Sequence, residues 1–439
     1  MSELVSSIKS ISKKYNYLED FRDIFWELYE NKRVKEEHYK DVSVGLFNIP
    51  CAGFGDIIIC KTFYDYLQDW YPGMRVSICT TTPHKYKDLG IDGTIYKLHV
   101  KPSVNVGDDD KPDECRKFNE VVLKKRVKFD IMIIVPIINE PFHMKQFRTL
   151  IPYANLSNTF TMGEYNGSAG PYTFPTGVGE YNLGLLFNKY PIKQQKLIQK
   201  PFGMIYIQPQ PEWGVHSKYC FLSYIEMICK KYRSKYPKLS IVVQDWITFD
   251  LLEDSNLYYK LRKILSKYYD SLEIVDSNDS ETFEINPKKM GSSKITFRGD
   301  ILPQKREIFI SLMKDSLPDI LVTGDQSITD VFSCCKRKQV WYQIAPWKEE
   351  FSEELAKHLP NKYYDTFKTS CGTLKSVKKD IDWNNFMKQY DFRIHGKKRM
   401  NAVLQSVYHM KREPILKQLV EIVEKSRFME TMRDKINQL

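Results

Sequence analysis

The chain holds no run of the roughly 18–20 uninterrupted apolar residues that a membrane helix needs. Its opening residues set Asp, Glu and Lys at helical spacing and contain no apolar secretory core. Both absences point to a cytoplasmic chain. The nine cysteines are odd in number, scattered and never paired as C-x-x-C, so neither a disulfide framework nor a thiol-redox pair is indicated. Cys60 and Cys79 sit beside apolar runs and read as buried, reduced thiols. The eight histidines are dispersed, with no His-x-x-x-His spacing for zinc, and no metal is expected. A Gly-x-x-x-x-Gly-Lys-Ser/Thr sequence is missing too, which argues against a P-loop kinase.

What the chain does have is aromatic and charged material in globular proportion. Of its 439 residues 42% are apolar, 13% aromatic and 28% charged, enough for two or three domains with large cores. The net charge of +11 is spread out: residues 391–439 carry eleven Lys/Arg against six Asp/Glu. That balance suits anionic ligands such as nucleotide phosphates without selecting nucleic acid. Gly396-Lys397-Lys398-Arg399 reads as a helix surface, so an RNA partner is not favoured.

Apolar spacing from Leu4 to Leu28 predicts helix in the opening segment, to about Asp41. Val42–Ile49 then reads as a strand, Pro50–Asp56 as a small-residue turn, Ile57–Trp70 as a helix and Arg75–Thr80 as a second strand. Asp130–Ile138 adds a third strand. From Asn155 to Asn182 the chain is glycine-rich and aromatic, the composition of a functional loop, and Glu164 and Tyr165 within it are candidates to meet an acceptor. A second alternating series starts at Phe202, with strands at 203–207, 239–243, 294–297, 319–323 and 339–342, and amphipathic helices close the chain, the last over Pro414–Ile436. The pattern predicts an α/β protein of two Rossmann-like domains with parallel sheets, 1–195 and 196–390, a hinge near 190–200, and C-terminal helices over 391–439 packing back across them.

Four clusters could carry chemistry. In the first, Gly53-Phe54-Gly55-Asp56, the glycines let a ligand approach the backbone, and Asp56 opens the next helix at the mouth of the sheet. Asp56 is the candidate general base, although Asp in this place also serves as a helix cap. The turn lacks the third glycine of a dinucleotide fingerprint, which argues against a nicotinamide site. The second cluster is Gly324-Asp325-Gln326-Ser327, a strand-to-helix turn whose first N–H groups and positive dipole end suit a diphosphate. An ordinary Asp/Ser cap is the alternative. In the third, Gln208, Trp213 and Lys218 set an aromatic platform among hydrogen-bonding and cationic groups. The fourth, Tyr342 and Gln343, follows a strand at the same edge. Asp108-Asp109-Asp110 lies among Lys, Pro and Gly and reads as a solvated loop.

The layout resembles a GT-B glycosyltransferase, over residues 42–80 and 200–347. Gly55-Asp56, the helix behind it and Trp70-Tyr71-Pro72 before a strand resemble the opening of heptosyltransferase-like enzymes. The Asp of that pair acts as base in the family, a role the resemblance carries onto Asp56. Gly324 through Gln343 resembles the donor loop of protein-arginine rhamnosyltransferases, which implies that Asp325 and Ser327 hold the nucleotide-sugar with Tyr342 and Gln343 nearby. Ala52 stands where the latter family has a second Asp, which points away from an arginine acceptor, and residues 325–333 lack the His usual in heptosyltransferases. The resemblance implies an inverting, metal-independent enzyme. A nucleotide-sugar would be its co-substrate, no further cofactor would be needed, and a glycan, small molecule or protein would accept the sugar. A catalytically inactive nucleotide- or glycan-binding protein and a nucleotide-sugar epimerase are the alternatives.

Overall fold

The computed structural model describes residues 38–50, 54–102, 118–124, 127–137, 153–154, 158–167, 172–188, 196–209, 216–286, 293–335, 338–378 and 382–407. The predicted helix before residue 38, Gly53, the acidic run 108–110, Trp213 and the predicted helix over 414–436 lie outside them.

The first sheet is built from β1 (Ser43–Asn48), β2 (Arg75–Thr80), β3 (Thr94–Pro102), β4 (Phe118–Leu123), β5 (Ile131–Ile137), β6 (Thr159–Gly163) and β7 (Thr173–Phe174). Their spatial order is β4-β3-β2-β1-β5-β6-β7, parallel throughout except for β4 on β3. Helix α1 (Gly55–Trp70) crosses from β1 to β2, and α2 (Pro83–Asp88) follows β2. The chain runs outward from β1 through β2 and β3, then returns to the other side of β1 as β5. The direction of winding therefore changes between β1 and β5.

The second sheet contains β8 (Phe202–Tyr206), β9 (Lys238–Val242), β10 (Ser271–Val275), β11 (Ser280–Glu284), β12 (Lys294–Arg298), β13 (Asp319–Val322), β14 (Gln339–Tyr342), β15 (Asp365–Lys368) and β16 (Thr373–Lys378). The order is β11-β10-β12-β9-β8-β13-β14-β16-β15, with six parallel strands in the middle and antiparallel β11, β16 and β15 at the edges. Its helices are α3 (Ser217–Tyr232), α4 (Asp245–Glu253), α5 (Ser255–Leu265), α6 (Arg306–Asp315), α7 (Asp325–Cys334), α8 (Glu349–Ala356) and α9 (Trp383–Tyr390). Here winding reverses between β8 and β13. The α/β class with two parallel-centred, Rossmann-like sheets is the one expected from the sequence.

Alternation along the strands sorts the core. Leu46 faces one cluster and Phe47 another; Met204 and Ile205 part in the same way, as do Ile320 and Leu321. The cluster holding Leu46, Met204 and Ile320 runs without a break from the first sheet to the second, so one apolar core joins the two halves. A helix over 392–407 seals it on the first sheet's side. Phe392 stacks on Tyr66 and Trp70, and the Tyr71 hydroxyl donates to Asn401 Oδ1 at 2.5 Å. Gly184 permits the chain to pass here: its φ is +111°, and a Cβ would stand 2.4 Å from the Tyr390 carbonyl oxygen. The seven described cysteines are free thiols, and burial pushes Cys60 up to about 12. Among the described residues no helix is long and apolar enough to cross a membrane.

The amino edge of the second sheet holds charges of structural use. Buried Asp319 accepts from Trp341 Nε1 at 2.7 Å, Lys231 Nζ at 2.8 Å and the Tyr232 hydroxyl at 2.5 Å. Nearby, Lys338 donates to the carbonyls of Ser316 and Leu317 and to Ser316 Oγ, and burial pulls its pKa down to about 8. An unfolded lysine titrates near ~10.4. Between those values the unfolded chain binds the extra proton, so stability rises with pH across that window, while below it the burial cost is present in full. Urea melts at pH 7 and 9.5 should therefore show the parent gaining on Lys338→Met at the higher pH. A difference independent of pH would mean that Lys338 titrates normally in the fold.

Candidate functional site

Open α/β sheets take ligands outside the carboxyl ends of their strands where the winding reverses. At the first such point Asn48 ends β1, and its Nδ2 donates to the Val135 carbonyl at 2.8 Å and to the Asp56 carbonyl at 3.3 Å. A polar side chain closing an apolar strand thereby ties β1, β5 and the start of α1 together. Asp56 lies in the first turn of α1 and is half-buried, while Phe54, at the cap position, is exposed and forms no side-chain cap. A Cβ on Gly55 would meet nothing within 4 Å. A carboxylate in the first turn is favoured by the helix dipole.

At the second reversal, Gly324 takes φ +76°, a conformation suited to glycine, and it too has open space where a Cβ would stand. It caps α7 without a side chain. Asp325, Gln326 and Ser327 follow and are all buried. Their side chains do not point to one common purpose. Asp325 Oδ2 accepts from Lys348 Nζ at 2.8 Å and from the Tyr165 N–H at 2.9 Å. Gln326 Nε2 donates to Asp330 Oδ1 at 3.0 Å, and Asp330 in turn pairs with Arg306. Burial, with Glu164 nearby, pushes the Asp325 carboxyl up, while Asp325 and Glu164 together outweigh burial and hold Lys348 as a cation.

Gln343 stitches the edge. Its Oε1 accepts from the Gln208 N–H at 2.8 Å, its Nε2 donates to the Gln208 carbonyl at 3.2 Å, and its own carbonyl accepts from Thr323 Oγ1 at 3.1 Å. Tyr342 is buried among Asp325, Glu164 and Tyr165, and its hydroxyl has no hydrogen-bond partner. Lys218 is exposed and shared between Asp254 at 2.9 Å and Asp250 at 3.5 Å, and the Asp254 hydrogen bond raises its pKa.

Of the residues singled out in the sequence, the structure thus brings Asp325, Tyr342, Glu164 and Tyr165 into one cluster and Gln208 with Gln343 into another. It leaves Asp56 with Phe54 and Gly55 at the first sheet's edge. Helices α1 and α7, which begin at the two reversal points, pack against each other, and Asn188 bridges them by donating from Nδ2 to Thr62 Oγ1 at 2.7 Å and from its N–H to Ser333 Oγ at 3.3 Å. Lys348, Arg306 and Asn48 were not flagged by sequence reasoning. Asn48 alone carried a signal, a polar residue at the end of an apolar strand.

The strand order and the two glycine-opened helix ends define a two-sheet α/β protein whose winding reverses once in each sheet. No protein-family model and no curated protein matches the chain. Among solved structures, MurG of Acinetobacter baumannii is similar over 66% of this chain and 76% of its own, at 8% identity and a TM-score of 0.31.

Proposed function

We propose that the chain is a glycosyltransferase of the GT-B type, inverting and independent of metal, that moves a sugar from a nucleotide-sugar to a glycan, small-molecule or protein acceptor. The carrying observation is the pair of helix ends. Each sheet reverses its winding at a helix whose first or cap residue is a glycine with open space where a Cβ would stand and no side-chain cap, and these two helices pack together. First-turn N–H groups without intrahelical partners are ready donors to phosphate oxygens, and those of Gln326 and Ser327 would take the donor diphosphate. Asp56 would receive the proton of the acceptor hydroxyl as its oxygen attacks the anomeric carbon. The nucleoside diphosphate then leaves with the bonding electron pair, its charge met by the helix end in place of a metal.

A nucleotide- or glycan-binding protein without turnover is favoured by a different observation. Asp325, Gln326 and Gln343 spend side-chain groups on internal bonds, and Lys218 is already neutralised.

Thermal-shift measurements against UDP, GDP, ADP, dTDP and CMP, with their sugar conjugates, test the shared part of both readings. One base should raise the melting temperature by several degrees, since ligand at a hundred times its Kd adds about 2.7 kcal/mol. Silence across the whole panel would sink the nucleotide-sugar reading.

A further inference from the structure

The start of α7 is held from the opposite half of the molecule. Glu164 follows β6 of the first sheet; Lys348 ends a short 3-10 turn after β14 of the second, and its Nζ reaches Glu164 Oε2 at 2.5 Å and Asp325 Oδ2 at 2.8 Å. Tyr165 adds a second thread. Its N–H donates to the same Asp325 Oδ2, and its hydroxyl accepts from the Leu186 N–H at 2.9 Å. Thr329 Oγ1 donates its proton to the Asp325 carbonyl at 2.7 Å, so the Tyr165 hydroxyl must donate to Thr329 Oγ1, 2.7 Å away. The hydrogen bonds therefore run in one sense, from Leu186 through Tyr165 and Thr329 to the backbone of Asp325. They end on the residue that follows the open glycine turn.

Apolar side chains of similar volume would join two halves at least as well as a buried ion cluster, whose better-attested use is to fix register. The apolar core already joins these halves. The charges instead converge on a single turn. We propose that Glu164 and Lys348 are positioning residues that set the first turn of α7 from across the molecule. A nucleoside diphosphate at that helix end would then be held tightly only while both halves are in contact. The nucleotide clause rests on the glycosyltransferase reading; the positioning clause does not.

Hydrogen exchange followed by mass spectrometry on the full chain separates the two, using Glu164→Gln, which removes one charge from the cluster, and Tyr165→Phe, which cuts the hydroxyl thread alone. Without ligand, both variants should exchange about tenfold faster in peptides covering 159–167, 183–188 and 325–334, with β9 and β10 unchanged. In the same variants UDP, GDP, ADP or dTDP, whichever the parent binds, should weaken by a similar factor and should no longer protect 159–167. Exchange equal to the parent's, or faster only in 159–167 with α7 unaffected, overturns the proposal, as does loosened exchange with undiminished nucleotide affinity. If no nucleotide binds the parent and all three peptides still loosen, the glycosyltransferase reading falls and the positioning role stands.

Discussion

Asp56→Asn protein is expected to bind nucleotide as the parent does and to lose sugar transfer. The substitution preserves shape at the first turn of α1, leaves the Asn48 bond to the backbone carbonyl of residue 56 in place, and removes the negative charge together with the capacity to take a proton. Positioned general bases contribute about 10²–10⁴-fold, so kcat should fall by that factor at saturating donor, with donor KM little changed. Loss of the negative charge at a helix start costs only about 0.3–1 kcal/mol, and the melting temperature should scarcely move. Turnover equal to the parent's would remove Asp56 from the mechanism. A parent that binds nucleotide yet transfers nothing to any acceptor would instead bring forward the binding protein without turnover.

Much of the frame was legible because parallel central strands are apolar on both faces and their helices carry a period near 3.6. Val42–Ile49, Arg75–Thr80 and Gln339–Tyr342 needed no tertiary information, and each lies within a residue or two of its observed bounds. The edges were harder to read. β7 has two residues, β11 and β15 are mostly exposed, and β15 pairs with β16 through a hairpin that has no strong apolar pattern. For the site, sequence could name the turns at which the winding reverses but not what their polar residues touch. An Asp that caps its own helix and an Asp that bonds a lysine 23 residues on look alike in a string of letters. So do a glutamine that meets a ligand and one that, like Gln343, spends its amide on the backbone of residue 208. Glu164 was picked out for its loop, yet its partner Lys348 lies 184 positions away, and only the packing of two sheets makes them neighbours.

That neighbourhood sets the largest expected loss of stability. Lys348 is 4% exposed and stands between two carboxylates, one of them equally buried. Lys348→Met fills a similar volume but leaves Asp325 and Glu164 without the charge that offsets their burial. Removing one partner of a buried pair costs about 3–5 kcal/mol, against total stabilities of about 5–15 kcal/mol, so the urea midpoint should drop by a large fraction. Adding Asp325→Asn to Lys348→Met should recover part of the loss. The amide side chain can still accept from the Tyr165 N–H through its oxygen, and the one carboxylate left without its lysine is the half-buried Glu164. The coupling between the two substitutions should then fall within about 0.5–3 kcal/mol, the range seen for residues in one ion-pair network. If Lys348→Met melted with the parent, the buried cluster would hold nothing together. If the two losses simply added, Lys348 and Asp325 would be acting separately, and the first turn of α7 would owe its position to the Tyr165 thread alone.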